Sequence, residues 1–411
     1  MKVYLVGGAV RDELLGLPVR ERDWVVVGAR PEELLDQGYK PVGRDFPVFL
    51  HPRTSEEYAL ARTERKTGPG YHGFDTRFSP DVTLEQDLER RDLTVNAIAK
   101  DPDSGVLVDP FGGVGDLQAR LLRHVSAAFV EDPVRVLRAA RFAARFAPLG
   151  FAVAPETVEL MREIASRGEL DALVPERVWQ ETQRALEQPV PARFFEVLRA
   201  ANALPIVFPE VAALFGVPQP ERWHPEIDSG VHTLMVVAQA ARLSPDPVVR
   251  FAALVHDLGK GTTPPEEWPR HIAHEQRSVG LIEKMCARLR IPNNYRELAV
   301  LVGKLHLNVH RAREVRTATI LELLAATDAF RRPARFEQFL LACEADARGR
   351  KGLEDCEYPQ ADYLRRAREL AAAVTLDEAE REGLNGEQIA ERIRRKRLTA
   401  LSSLRHDHAA S

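Results

Sequence analysis

An α+β head followed by an all-α neck, a second helical domain and a helical tail is the fold class this sequence predicts, and three observations carry it. Short apolar runs of β type at residues 3–6, 24–27, 48–50 and 58–61 alternate with helical stretches at 9–15 and 84–99. From about Pro133 the pattern turns to long segments of 3.6-residue period, such as 134–146, 157–167 and 176–186. The 411 residues are 45% apolar and 29% charged, a globular composition long enough for about two to three domains.

Proline-rich punctuation divides the helical part: Pro189 to Pro191, Pro218 and Pro220 before Arg222-Trp223-His224-Pro225, and a looser region at 348–359. The expected division is a head at 1–141, a neck at 142–224, a second helical domain at 225–350 and a tail at 351–411 carrying the basic run 392–397. Net charge is −4, from 57 basic and 61 acidic residues, so contact with nucleic acid must come from local patches. The longest stretch without a charge, 229–241, is too short to cross a bilayer, which needs about 20 residues. Cys286, Cys343 and Cys356 lack paired spacing, and with no export signal the expected compartment is a reducing cytoplasm.

Leu5-Val6-Gly7-Gly8-Ala9-Val10-Arg11-Asp12 reads as a strand ending in paired glycines that turn into a helix. Such a turn lets a polyphosphate approach free N–H groups beside Arg11, and it also serves as a plain connection. Glu21-Arg22-Asp23 precedes the strand at 24–27, and strand residues two apart share a face, so both carboxylates point to one place. Two hard oxygen donors suit Mg²⁺ in a two-metal nucleotidyl transfer; for an isolated pair a solvated acidic edge is the simpler reading. Arg135, Arg138, Arg141 and Arg145 fall on one helical stripe with few acids close in sequence, a candidate polyanion face. Asp132 and Arg135 supply an acceptor and a donor fork able to read base edges.

These motifs resemble the polymerase-β-type nucleotidyltransferase superfamily and, more closely, the class II tRNA CCA-adding enzymes and their poly(A) polymerase relatives. The glycine turn and carboxylate pair are followed in order by Arg90-Arg91-Asp92-x-x-x-Asn96-Ala97, Asp109-Pro110-x-x-Gly113-x-x-Asp116-Leu117, Glu131-Asp132-Pro133-x-Arg135-x-x-Arg138-x-x-Arg141 and Glu176-Arg177-x-x-x-Glu181. The resemblance implies a polymerase-β-like head in which Glu21 and Asp23 hold Mg²⁺ as the catalytic pair. It also implies nucleotide binding by Gly8, Arg11, Arg91, Asp132, Arg135, Arg138 and Arg141, with Asp132 and Arg135 selecting CTP and ATP without a template. Arg91 and Asn96 are then expected near the sugar and triphosphate, Asp12 as support for Arg11, and Glu176 with Arg177 as a brace of the neck. The family pattern usually carries Asp where this chain has Glu21, whose extra methylene moves the ligand oxygens outward by about one bond length.

Six of the twelve histidines lie between 232 and 310, and neutral imidazoles with carboxylates are transition-metal ligands. His256-Asp257-Leu258-Gly259-Lys260, with His232 before and Asp346 after, is similar to the HD-domain metal phosphohydrolases; a degenerate, structural HD site is the alternative. The resemblance implies that His232, His256, Asp257 and Asp346 hold a divalent metal, often nickel in that family, with His256 and Asp257 catalytic. His274 and His306 are expected to line the site or help a second ion, Lys260 to offset phosphate charge, and His310 to be a surface residue. Head, neck and HD domain in this order resemble the longer bacterial form of CCA-adding enzyme. That form implies CCA addition and repair beside 2′,3′-cyclic phosphodiesterase, 2′-nucleotidase and phosphatase activities, with tRNA, CTP and ATP as partners, no membrane, and a monomer or homodimer. A poly(A) polymerase shares the head motifs and is the nearest rival; a regulatory two-site protein and a non-catalytic RNA-binding scaffold stand further off.

Overall fold

Strands with both faces apolar belong inside a sheet, and β1 (Lys2–Val6) and β2 (Asp23–Val27) are of this kind. Val6 and Val25 pack into a core with Leu84, Leu88 and Ala97, while Val26 enters another with Leu34, Phe49 and Leu60. In a computed structural model, residues 1–42, 48–66 and 74–409 are described, side chains at 64–66, 74–76 and 405–409 excepted. The chain is α+β and divides into two units, Met1–Val207 and Phe208–Ser411.

In the first unit α1 (Gly8–Leu14) joins β1 to β2, and α2 (Pro31–Asp36) leads to β3 (Lys40–Val42), β4 (Val48–Leu50) and β5 (Glu57–Leu60). A separate hairpin of β6 (Arg62–Lys66) and β7 (Phe74–Phe78) precedes α3 (Leu84–Glu89), β8 (Ala99–Lys100), β9 (Leu107–Val108) and α4 (Gly113–Ala119). Seven strands form one sheet in the order β3-β4-β5-β2-β1-β8-β9, with β2 and β5 parallel and the other neighbours antiparallel.

The helix predicted over 84–99 is corrected: α3 stops at Glu89, a 3₁₀ turn covers Thr94–Asn96, and β8 pairs with β1. The arginines of the Arg90-Arg91-Asp92 motif end the helix by turning back on it, since both guanidiniums pair with the buried Asp87 carboxylate. Asp92 then accepts from the N–H of Leu93 and from Nδ2 of Asn96, holding the tight turn.

The first unit is completed by a short parallel pair, β10 (Leu121–Leu122) with β11 (Ala152–Val153), and by α5 (Val134–Phe146), α6 (Pro155–Ser166), α7 (Pro175–Leu186), α8 (Ala192–Ala200) and α9 (Leu204–Val207). Proline at the first position sets the entry of α6 and α7. Residue 141, where the head was expected to end, falls inside α5, and residue 224 lies in the second unit.

The second unit contains α10 (Pro209–Ala212), α11 (Ser229–Leu243), α12 (Pro247–Val255), α13 (His274–Arg288), α14 (Asn293–His310), α15 (Thr317–Ala326), α16 (Pro333–Arg348), α17 (Pro359–Ala372), α18 (Glu378–Arg381) and α19 (Gly386–Ala409). Phe251, Ala252, Ala253, Leu254 and Val255 are all buried, so the last turns of α12 are apolar all round and sit as the central post among α11, α14 and α16, while the buried Arg250 donates to the Ser244 carbonyl. No described helix is long and apolar enough to cross a membrane.

Candidate active sites

The head cleft opens where β1 hands over to α1. Gly7 stands before that helix at φ 69°, a conformation that strains any residue with a side chain, and a Cβ there would lie 2.8 Å from Nη1 of Arg91, whose guanidinium would have to shift. Sheet register sets Asp23 opposite Val6 and beside Glu57 on the parallel strand β5. Burial raises the Asp23 pKa, Arg91 partly offsets this, and repulsion from Glu21 adds to it, so the structure brings Glu21 and Asp23 into one electrostatic field. Like charges held together at a cleft mouth are relieved by a divalent cation, and an all-oxygen donor set fits Mg²⁺.

The cleft is about 1230 Å³, lined by ten arginines against seven carboxylates, an excess that suits a polyanion. Gly8, Arg11, Arg91, Asp132, Arg135, Arg138 and Arg141 all line it, and so do Asp12, Asn96 and Arg145. The arginine stripe of α5 is not the lightly balanced face its sequence neighbours suggest, because the acids arrive from other elements. Nε of Arg138 donates to Asp92 at 2.8 Å, Nε of Arg141 to Glu181 at 2.6 Å, and Nη2 of Arg145 to Asp12 at 2.7 Å. The Arg138 guanidinium holds Asp92 well below the usual carboxylate range in spite of its burial.

Arg135 is buried, and its guanidinium donates to the main-chain carbonyls of Ala128 at 2.8 Å and Arg90 at 2.5 Å. Asp132 accepts from Val134 N and from Arg177, which lies at 3.0 Å from Oδ2. Arg11 is also buried, held by Asp12 and by the Asn96 side chain, and lies over the rings of Phe142 and Phe146. Asp109 accepts from the N–H groups of Gly113 and Val114, and Asp116 from Thr94 and Arg123, so that motif serves as scaffold.

In the second unit the histidines converge although their helices are far apart in sequence. His232 lies on α11, His256 directly after α12, His274 at the start of α13, His306 and His310 near the end of α14, and Asp346 on α16. Nε2 of His232 is 3.0 Å and Nε2 of His256 is 3.5 Å from Oδ1 of Asp346. Asp257 turns Oδ2 to His256 at 3.2 Å and Oδ1 to His274 at 3.2 Å and His306 at 3.6 Å. Three candidate ligand triads result among the described residues: His232/His256/Asp346, Asp257/His274/His306 and, sharing His232 with the first, His224/Glu226/His232.

The ring orientations fit a metal. Nδ1 of His256, His274 and His306 lies 2.8, 2.9 and 3.0 Å from the carbonyls of Ala253, His271 and Val302. A carbonyl only accepts, so Nδ1 carries a proton in each ring and Nε2 is the nitrogen a metal would take, with His256 giving up an Nε2 proton to do so. Nε2 of His256, Nε2 of His274 and Oδ1 of Asp257 are buried with no hydrogen-bond partner among the described residues. Burial works against charge on His256, but Asp257 and Asp346 outweigh it and lift the pKa to about 10; burial pushes His306 down to about 3.

Two expectations change here. Lys260 is buried and committed, with Nζ 2.5 Å from Asp257 Oδ2 and 2.5 Å from Gln219 Oε1, because its 3₁₀ turn carries it back toward Asp257 rather than outward. His310 is half-buried and is more than a surface residue: Nε2 lies 2.7 Å from Asp346 Oδ2 and Nδ1 2.8 Å from the Tyr358 hydroxyl.

Three family models match the chain: the poly A polymerase head domain over residues 3–123, the probable RNA and SrmB binding site of polymerase A over 150–215, and the HD domain over 230–332. The multifunctional CCA protein of Thioalkalivibrio sulfidiphilus is 65% identical over 405 residues, covering 98% of this chain and 99% of that protein. The chain belongs to the multifunctional CCA protein family. The family's counterpart from Alkalilimnicola ehrlichii is 64% identical over 408 residues, covering 99% of this chain and 98% of that protein. Among solved structures, a CCA-adding enzyme in its apo form II superposes with TM-score 0.68 at 21% identity, covering 97% of this chain and 87% of that one. A complex of a CCA-adding enzyme with CTP gives 0.66 at 23% identity, again over 97% and 87%; these two speak for the fold.

Within this multifunctional CCA family member, three participants escaped the sequence reading. Glu57 lines the cleft beside Asp23 only through sheet pairing, which no local motif announces. Glu226 accepts from the Nδ1 atoms of both His224 and His232 at 3.0 Å, and the motif His224-Pro225-Glu226 next to His232 was the available signal. Tyr358 reaches His310 across 48 residues, a spacing that carries no pattern.

Proposed function

We propose that this protein adds and repairs the 3′-terminal CCA of tRNA with CTP and ATP in its head, and hydrolyses 2′,3′-cyclic phosphates, 2′-nucleotides and phosphate esters in its HD domain. The observation that carries the first activity is the carboxylate pair Glu21 and Asp23 held in one field at the mouth of an arginine-rich cleft. Mg²⁺ on that pair would neutralise triphosphate charge and promote ionisation of the attacking 3′ hydroxyl. Arg91, standing over Gly7, orients the triphosphate, and Asp132 with Arg135 reads the base edge while Arg177 holds Asp132 in place. Names of relatives at 65% and 64% identity support this reading.

For the HD domain, His232, His256, Asp257 and Asp346 would hold a divalent transition metal such as Ni²⁺, with His274 and His306 completing a second ligand set through Asp257 Oδ1. The ion would supply Lewis acidity and an activated water for attack on a phosphate ester. Lys260 steadies Asp257 through Oδ2, the oxygen that also faces His256.

The test supplies Mg²⁺ and a tRNA lacking its last three nucleotides, with CTP and ATP singly and together, and sequences the 3′ end. Growth by CC with CTP alone and by CCA with both is the expected result. A lengthening A-tail would instead favour a poly(A) polymerase, and no extension would leave the head a binding module.

A further inference from the structure

The Asp346 carboxylate has two oxygens with different neighbours. Oδ1 faces Nε2 of His232 and His256, the side on which the ligand triad closes. Oδ2 faces away, toward Nε2 of His310 at 2.7 Å, and Nδ1 of His310 lies 2.8 Å from the hydroxyl of Tyr358. The direction of this chain follows from donor inventory. A carboxylate only accepts, so His310 carries its proton on Nε2; its bare Nδ1 then accepts from the Tyr358 O–H. Both groups are held in turn: Gln360 donates to the His310 carbonyl at 3.3 Å, and Tyr358, 8% exposed, stands immediately before α17. The matching family model for the HD domain ends at residue 332, short of both Asp346 and Tyr358.

We propose that His310 and Tyr358 are positioning residues of the HD centre: the chain Tyr358 to His310 to Asp346 fixes the carboxylate so that Oδ1 meets the metal. The inference rests on the metal reading of that centre given above. It makes the segment after α16, and not only the HD helices, part of the hydrolytic site. A freely rotating Asp346 would offer either oxygen and lose pre-organisation; outer partners of this kind contribute about 10–100-fold in metal affinity.

The test is Ni²⁺ titration by calorimetry of the full chain with excess Mg²⁺ present, on variants whose circular dichroism matches the parent. His310→Leu should weaken Ni²⁺ binding about 10–100-fold, and Tyr358→Phe, which removes only a hydroxyl, by a smaller factor. His310→Gln, able to donate to Asp346 and accept from Tyr358, should recover most of the loss; a His310 that ligated the metal directly would not be rescued so. The double variant Tyr358→Phe/His310→Leu should bind as His310→Leu alone, because Tyr358 acts through His310. Undiminished binding by both single variants, additive losses, or failure of the glutamine rescue would overturn the proposal. A parent protein that binds no Ni²⁺ would overturn the underlying metal reading first, and the positioning role with it.

Discussion

Asp23 and Arg135 show how much one residue's surroundings decide. Asp23→Ala leaves Glu21 without the partner that shares its field, and nucleotide addition should fall by at least about 1000-fold, measured as single-turnover extension of tRNA. Arg135→Ala should relax the preference for CTP and ATP over UTP and GTP by about tenfold or more, the worth of one lost bidentate base contact. Unchanged discrimination at lower turnover would make Arg135 a support for the Arg90 and Ala128 carbonyls instead. That Gly7, Asp23 and His256-Asp257 would gather at two candidate sites was readable from motif spacing, and the fold places the first two along the head cleft and the last pair in the histidine cluster. Charge balance was not readable: Asp92, Glu181 and Asp12 reach the α5 arginines only through the fold.

At the scale of elements, the turn after α12 is the tightest joint. A Cβ on Gly259 would lie 2.0 Å from the His274 carbonyl, so the 3₁₀ turn and α13 touch backbone to backbone. Gly259→Ala should cost about 3 kcal/mol and abolish cyclic-phosphate hydrolysis by displacing His274, seen together in thermal melts and a phosphodiesterase assay. Element periods were readable where packing follows them: the helices predicted at 134–146, 157–167 and 176–186 lie within two residues of those found. The period failed at 84–99, where Asp87 and Asp92 capture arginines and main-chain N–H groups and outbid the continuing helix.

Across the whole molecule, the two candidate sites lie in different units and share no described residue. Asp257→Ala should therefore abolish hydrolysis while CCA addition continues, and Asp23→Ala should do the reverse; equal loss of both activities in a folded variant would refute independence. Acid should act on the head through Asp87 and Asp92, whose carboxyls titrate lower when folded than the ordinary 3.8 because arginines face them. Their stabilisation is whole above that value and drains away as pH falls through it toward their folded pKa values. Thermal melts from about pH 5 to about pH 2 should show the loss, with a shallower slope in Asp92→Asn. Division into an α+β part and a helical part was visible from periodicity alone, whereas the break at 207/208 falls among buried residues such as Val207, Phe208 and Val211 that carry no loop signature.

Three imidazoles of the HD centre take their aim from carbonyls three or four residues earlier in the chain. Their orientation is set by local backbone, independently of any ligand. The centre is thus a rigid socket rather than a clasp that closes around its guest. On the metal reading proposed above, ions would exchange without refolding, and the occupant would follow which divalent ions the surrounding solution supplies, weighted by their intrinsic preference for imidazole nitrogen.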